Sequence, residues 1–159
     1  MTFTKAEILV MPAGREMDAL VAEELFGWKL QSATIDLIGL RLNSRYRRVQ
    51  DGDTWWITPS GDCYWPDELP AFSTDLAAVL QITKIFDNKE WIIEITKDRG
   101  KEWSVTFEPI GPFAVGEASD TSLSIAIYRA ALFAVLTHQM NDEERNKWKA
   151  EEGTPSSIG

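Results

Sequence analysis

Trp91-Ile92-Ile93-Glu94-Ile95-Thr96-Lys97-Asp98-Arg99-Gly100-Lys101-Glu102-Trp103-Ser104-Val105-Thr106-Phe107 is the stretch that decides the fold. Trp91, Ile93 and Ile95 alternate with Ile92, Glu94 and Thr96. Trp103, Val105 and Phe107 alternate with Glu102, Ser104 and Thr106. Successive strand residues point to opposite faces, so this period of two predicts two strands, each with one apolar face. Lys97-Asp98-Arg99-Gly100 supplies the turn of a β-hairpin, with glycine where the chain must reverse. Trp91 and Trp103 fall on matching faces, where core packing or cross-strand pairing is expected.

Helices flank this hairpin. On its C-terminal side a loop spans 109–119, marked by Pro109, Gly111, Pro112 and Gly116. A helix beginning at Asp120 or Thr121 then runs to about His138. Leu123, Ile127, Ala130, Ala131 and Ala134 give it a small-residue face suited to lying close on a sheet. On the N-terminal side, Ser73 is the expected N-cap of a helix from Thr74 to Phe86. Leu76, Val79, Leu80, Thr83 and Phe86 line one side of it. At the start of the chain, Thr4-Lys5-Ala6-Glu7 reads as a capping box, and Pro12 ends the short helix it opens. A further helix covers Gly14 to Phe26, with Met17, Val21 and Leu25 four residues apart and Gly27 as its stop.

Residues 28–69 are an irregular extension. Thr34 to Leu42 predicts a strand. Thr54 to Thr58 and Cys63 to Trp65 predict a second hairpin around Pro59-Ser60-Gly61-Asp62. Asn141-Asp142-Glu143-Glu144 predicts the cap of a short helix reaching Trp148, and residues 151–159 have the composition of a disordered tail. The expected architecture is α+β: three main helices packed on an antiparallel sheet of about four strands, as an α-β-α or two-layer sandwich. The hairpin is central, and residues 1–150 form one domain.

Three blocks of sequence resemble the small phage and prophage proteins that carry a "phage ABA sandwich" domain. They are 11–23 (MPAGREMDALVAE) followed by Gly27-Trp28, 70–75 (PAFSTD), and 126–132 (AIYRAAL). With the hairpin they extend over about residues 4–136. The resemblance implies an α-β-α arrangement and a phage origin, and it brings no defined activity. The segment 28–69 and the chain beyond Thr137 depart from the plain pattern. Asp75 and Arg129 lie in two of these blocks, and a salt bridge between their helices is expected.

Composition narrows the function. The chain has 159 residues, a net charge of −9, seven Trp, one His and one Cys. An excess of acid repels a phosphate backbone, so a nucleic-acid polymer is not the expected partner. No apolar run approaches the ~18 residues of a membrane span, and the N-terminus lacks the pattern of a secretory signal. A single Cys63 suits a reducing cytosol. His138 is the only histidine available to a nucleophilic pair, and it sits near a helix end. Asp51, Asp53, Asp67 and Glu68 are the densest acids, without the spacing of a calcium loop. No phosphate-binding glycine motif is present. The expectation is a non-enzymatic protein with no cofactor and no bound metal.

The binding candidates are Arg45, Arg47 and Arg48 around Tyr46, then Trp55 and Trp56, then Tyr64 and Trp65. Guanidinium groups grip phosphate or carboxylate with paired hydrogen bonds, and aromatic faces stack on bases. Together they fit a pocket for a small anionic, nucleotide-like ligand. Trp, Tyr and Arg are equally the residues of protein-contact hot spots. They also fit a packed interior edged by solvated arginines. The leading expectation is capture of a nucleotide-type host defence signal without chemistry. The alternatives are a binder of a host protein through the acidic surface, and a carboxylate- and metal-dependent nucleotide hydrolase. Exposed aromatics favour a homo-oligomer.

Overall fold

The computed structural model describes residues 3–42, 47–97, 99–100, 102–110, 115–139, 143 and 146–147. Four helices and two three-stranded antiparallel sheets form among them. The helices are α1 (Lys5–Val10), α2 (Arg15–Glu24), α3 (Leu76–Asn88) and α4 (Leu123–Gln139), with a 3-10 turn at Pro66–Glu68. One sheet runs β1 (Lys29–Ser32), β2 (Thr54–Ile57), β3 (Cys63–Tyr64). The other runs β4 (Ile92–Lys97), β5 (Trp103–Glu108), β6 (Gly116–Asp120). The class is α+β as the patterns predict, but the single sheet of about four strands is replaced by two sheets of three. The expected helix over 141–148 lies largely outside the described residues, and the tail 151–159 lies wholly outside them.

The predicted hairpin forms, with Ile93 opposite Phe107, Ile95 opposite Val105 and Lys97 opposite Trp103, so that its connection is longer than the expected 97–100 turn. The pleat sends these six residues to one face, which α3 and α4 cover. β5 is the central strand and β4 is an edge. The opposite face carries exposed Glu94, Thr96, Glu117 and Ser119, and no helix of the described residues covers it. A helix layer on both faces is therefore not formed among them.

The third strand of this sheet, β6, falls in the segment read as a loop. Gly116 is a turn signal in the sequence and the residue that permits the strand in the fold. A Cβ there would lie 2.5 Å from Ala134 Cβ and would also strike the carbonyl oxygen of Ala130. Only glycine lets β6 reach α4 this closely. The alanines of α4 do the same from the other side, so that Ala126, Ala130, Ala131 and Ala134 are fully buried. Buried Ile127, Tyr128, Leu132 and Phe133 fill the rest of the helix surface, as for a helix enclosed in a core.

Local signals hold at the N-terminus, where Thr4 and Glu7 form both bonds of the capping box. They fail at α3, whose N-cap is Asp75 rather than Ser73. Thr34 to Leu42 is not a strand: Leu37 N–H donates to Thr34 O, Leu40 N–H to Leu37 O, and Gly39 takes a φ of 89°. These turns outcompete extension, leaving only an isolated bridge between Arg41 and Arg48.

Candidate functional site

β2 presents Trp55 and Trp56 in succession, and the pleat sends them to opposite sides of the small sheet. Trp56 joins the main core and pairs across the strands with Tyr64. Tyr64 in turn stacks on Trp28, with centroids 5.2 Å apart and planes 11° from parallel. Trp55 enters a second, smaller cluster with Trp65 and Val49, roofed by Ala33, Leu37, Leu42, Ile57 and Cys63. Trp55 and Trp65 meet edge to face at 6.3 Å.

The three indoles expected to line a ligand cleft are thus packed inside, at 2% (Trp55), 4% (Trp56) and 6% (Trp65) exposure. The six candidates among the described residues do not converge. Trp55, Trp65 and Arg47 share one side of the small sheet, while Trp56 and Tyr64 belong to the other. Arg45, like neighbouring Tyr46, lies outside the described residues. Apolar burial explains the difference: an indole buries a large area, and two short strands need a core on both faces.

Arg47 is held from two sides. Its guanidinium lies 4.4 Å from the centroid of the Trp65 ring, and Nη2 donates to Asp53 Oδ1 at 2.7 Å. Asp53 also accepts the Gln50 N–H on its other oxygen at 2.8 Å. Arg48 donates from Nη1 to Gly39 O at 2.8 Å. Exposed Ile38 and Leu40 flank the Gly39 carbonyl that Arg48 holds, and Ile35, four positions earlier in the chain, is 90% exposed. The sequence marks this patch only by interrupted alternation, because exposure of an isoleucine in a turn depends on packing elsewhere.

A second polar constellation is buried between helices. Ser73 donates its N–H and its hydroxyl to Asp18 Oδ1, at 2.7 and 2.6 Å, and Gly14 N–H donates to Ser73 Oγ at 2.8 Å. Arg15 Nη1 sits 3.5 Å from Asp18 Oδ2 and also donates to Leu69 O. Arg129 donates to Leu9 O at 3.0 Å and pairs with Asp120 at 3.4 Å. The expected Asp75–Arg129 bridge is therefore replaced: Asp75 accepts the Ala77 N–H as a cap. Residues of the first two blocks meet here, where Asp18 and Ser73 tie α2 to the loop before α3, while Arg129 of the third block ties α4 to α1.

Burial, and then Asp62, push the Cys63 thiol up, away from the thiolate a nucleophile needs. His138 packs edge-on to Trp91 at 5.6 Å. Among the described residues no group of three or more His, Cys, Asp or Glu is placed to hold a metal ion. No helix among them is long and apolar enough to cross a membrane. Compared with family models, curated proteins and solved structures, the chain matches none.

Proposed function

We propose that this chain is a non-enzymatic binding protein whose contact surface is the 35–40 segment beside the three-stranded sheet β1-β2-β3, and that its partner is a protein. One observation carries the reading. Ile35, Ile38 and Leu40 stand exposed within six positions, in a segment whose Leu37 packs on Trp55, Trp65 and Val49 and whose Gly39 carbonyl Arg48 holds. Exposed apolar groups cost solubility unless a partner covers them. Apolar side chains with arginine at the margin are the composition of a protein interface. The net charge of −9 favours a partner of positive charge, drawn in over a distance before the apolar contact forms. With a phage origin, as the three sequence blocks suggest, that partner is a host protein.

Sequestration of a nucleotide draws less support. It needs open aromatic faces, and the indoles here are packed; it needs an unmatched cation, and Asp53 already neutralises Arg47. The test is affinity capture from bacterial lysate with the wild-type chain and with an Ile35→Asp, Leu40→Asp double variant. The expected result is one stoichiometric partner, weakened by salt and lost in the variant. A partner retained by the variant refutes the assigned surface. Calorimetric uptake of a nucleotide, abolished by Arg47→Ala, refutes the partner class.

A further inference from the structure

The outer edge of β4 is unpaired among the described residues: its ladder is to β5 alone, and no backbone hydrogen bond from 92–97 leaves the sheet. Proteins usually protect such an edge with charge, proline or a short strand. This edge is six residues long and carries three isoleucines and no proline. Ile92 is 51% exposed and Ile95 40% exposed, the latter on the face that the helices cover elsewhere. Its one lysine is turned back over its own sheet, with the Lys97 ammonium 5.0 Å from the Trp103 ring centroid.

We infer that β4 pairs antiparallel with β4 of a second copy of this chain, about a two-fold axis at Ile95. The strand itself selects that register. Opposed residues must project to the same face for both helix layers to lie on one side, which leaves pairings centred on single residues. Centring on Glu94 sets that carboxylate directly against its copy, and like charges opposite one another are destabilising. Centring on Ile93 pairs only Ile92 to Glu94 and leaves Ile95 to Lys97 without opposite numbers, because the chain before Ile92 turns into the end of α3. Centring on Ile95 pairs Ile95 with itself, Ile93 with the stem of Lys97, and Glu94 with Thr96. It moves the two Glu94 carboxylates to diagonal positions on the water-facing side. The contact is isologous, so it closes at two copies and consumes the edge. The product is a six-stranded sheet, β6-β5-β4 continued by β4-β5-β6 of the second copy. A strand pair alone buries less than the roughly 1,200 Å² of a stable dimer. Exposed Leu76 and Leu80, one turn apart on the α3 helix that packs on β4, add apolar surface. Two bodies of charge −9 repel, so the association tightens as salt rises. The partner contact proposed above has the opposite salt response.

Sedimentation equilibrium of the full chain tests this. The expected mass is twice 18.0 kDa, with a larger dimer fraction at high salt. Ile95→Glu is expected to abolish the dimer, and Ile110→Glu, at another exposed isoleucine, to leave it intact. Directly opposed strand residues lie within disulfide reach, with Cα atoms about 4.5–5.5 Å apart. Ile95→Cys in a Cys63→Ser chain should therefore cross-link to itself on oxidation, and this arm decides if Ile95→Glu does not fold. A monomer mass at every soluble concentration, a dimer indifferent to Ile95→Glu, or a dimeric Ile95→Cys chain that forms no cross-link overturns the proposal.

Discussion

Ser73 gives both its N–H and its hydroxyl to one carboxylate oxygen of Asp18, at 2.7 and 2.6 Å, across 55 positions of sequence. Both residues are buried, so the carboxylate has exchanged water for these donors. Asp18→Ala leaves the buried Ser73 N–H without an acceptor and the Ser73 hydroxyl only the longer bond to Gly14 O, at an expected loss of about 1–3 kcal/mol. Asp18→Asn keeps an acceptor oxygen and is expected to lose less. Urea titrations of both variants check the ordering, and equal losses would contradict it.

Gly116→Val is expected to destabilise the fold more than Gly116→Ala, and both to act by separating β6 from α4. The added Cβ meets backbone at Ala130 and Ala134, which cannot rotate out of the way. Overpacking of this kind costs about 1–3 kcal/mol or more. Thermal melts report the loss. Hydrogen exchange should rise first in β6 and α4.

Trp65 Nε1 is buried without a hydrogen-bond partner among the described residues. Trp65→Phe keeps an aromatic ring beneath Arg47 and removes the unpartnered donor, so its expected cost is within about 1 kcal/mol. Trp65→Ala opens the small cluster against Trp55 and Val49 and is expected to cost roughly 3–5 kcal/mol. Chemical denaturation of the two variants measures the gap. A Trp65→Phe loss as large as the alanine loss would mean that the indole N–H has a partner after all.

Tyr128 is fully buried, and burial pushes its phenol above its ordinary pKa of about 10. The folded state therefore holds the proton more tightly than the unfolded state does. The resulting contribution is constant below pH about 10 and falls as pH rises beyond it. Tyr128→Phe removes this contribution. The stability difference between wild type and Tyr128→Phe should be flat at neutral pH and should shift against wild type in strong base. Melting temperatures across the alkaline range give the answer.

Structure carried by near neighbours was legible in the chain. The alternation through 91–107 determined a hairpin and its apolar face, because side-chain direction in a strand follows from local geometry alone. Thr4 and Glu7 determined a helix start by the same locality. Tertiary structure decided the rest. Ser73 left the cap position because a buried carboxylate 55 residues away bound it more strongly, and Asp75 took its place. Gly116 became a strand residue because a helix lies against it. Trp55, Trp56 and Trp65 offered large apolar area to whichever face closed first, and packing turned them inward. Arg47 then lies over the Trp65 ring and Arg48 holds the Gly39 carbonyl, in place of an aromatic cleft. Hydrophobic burial has no direction along the chain, so which rings face water is settled only when distant segments meet.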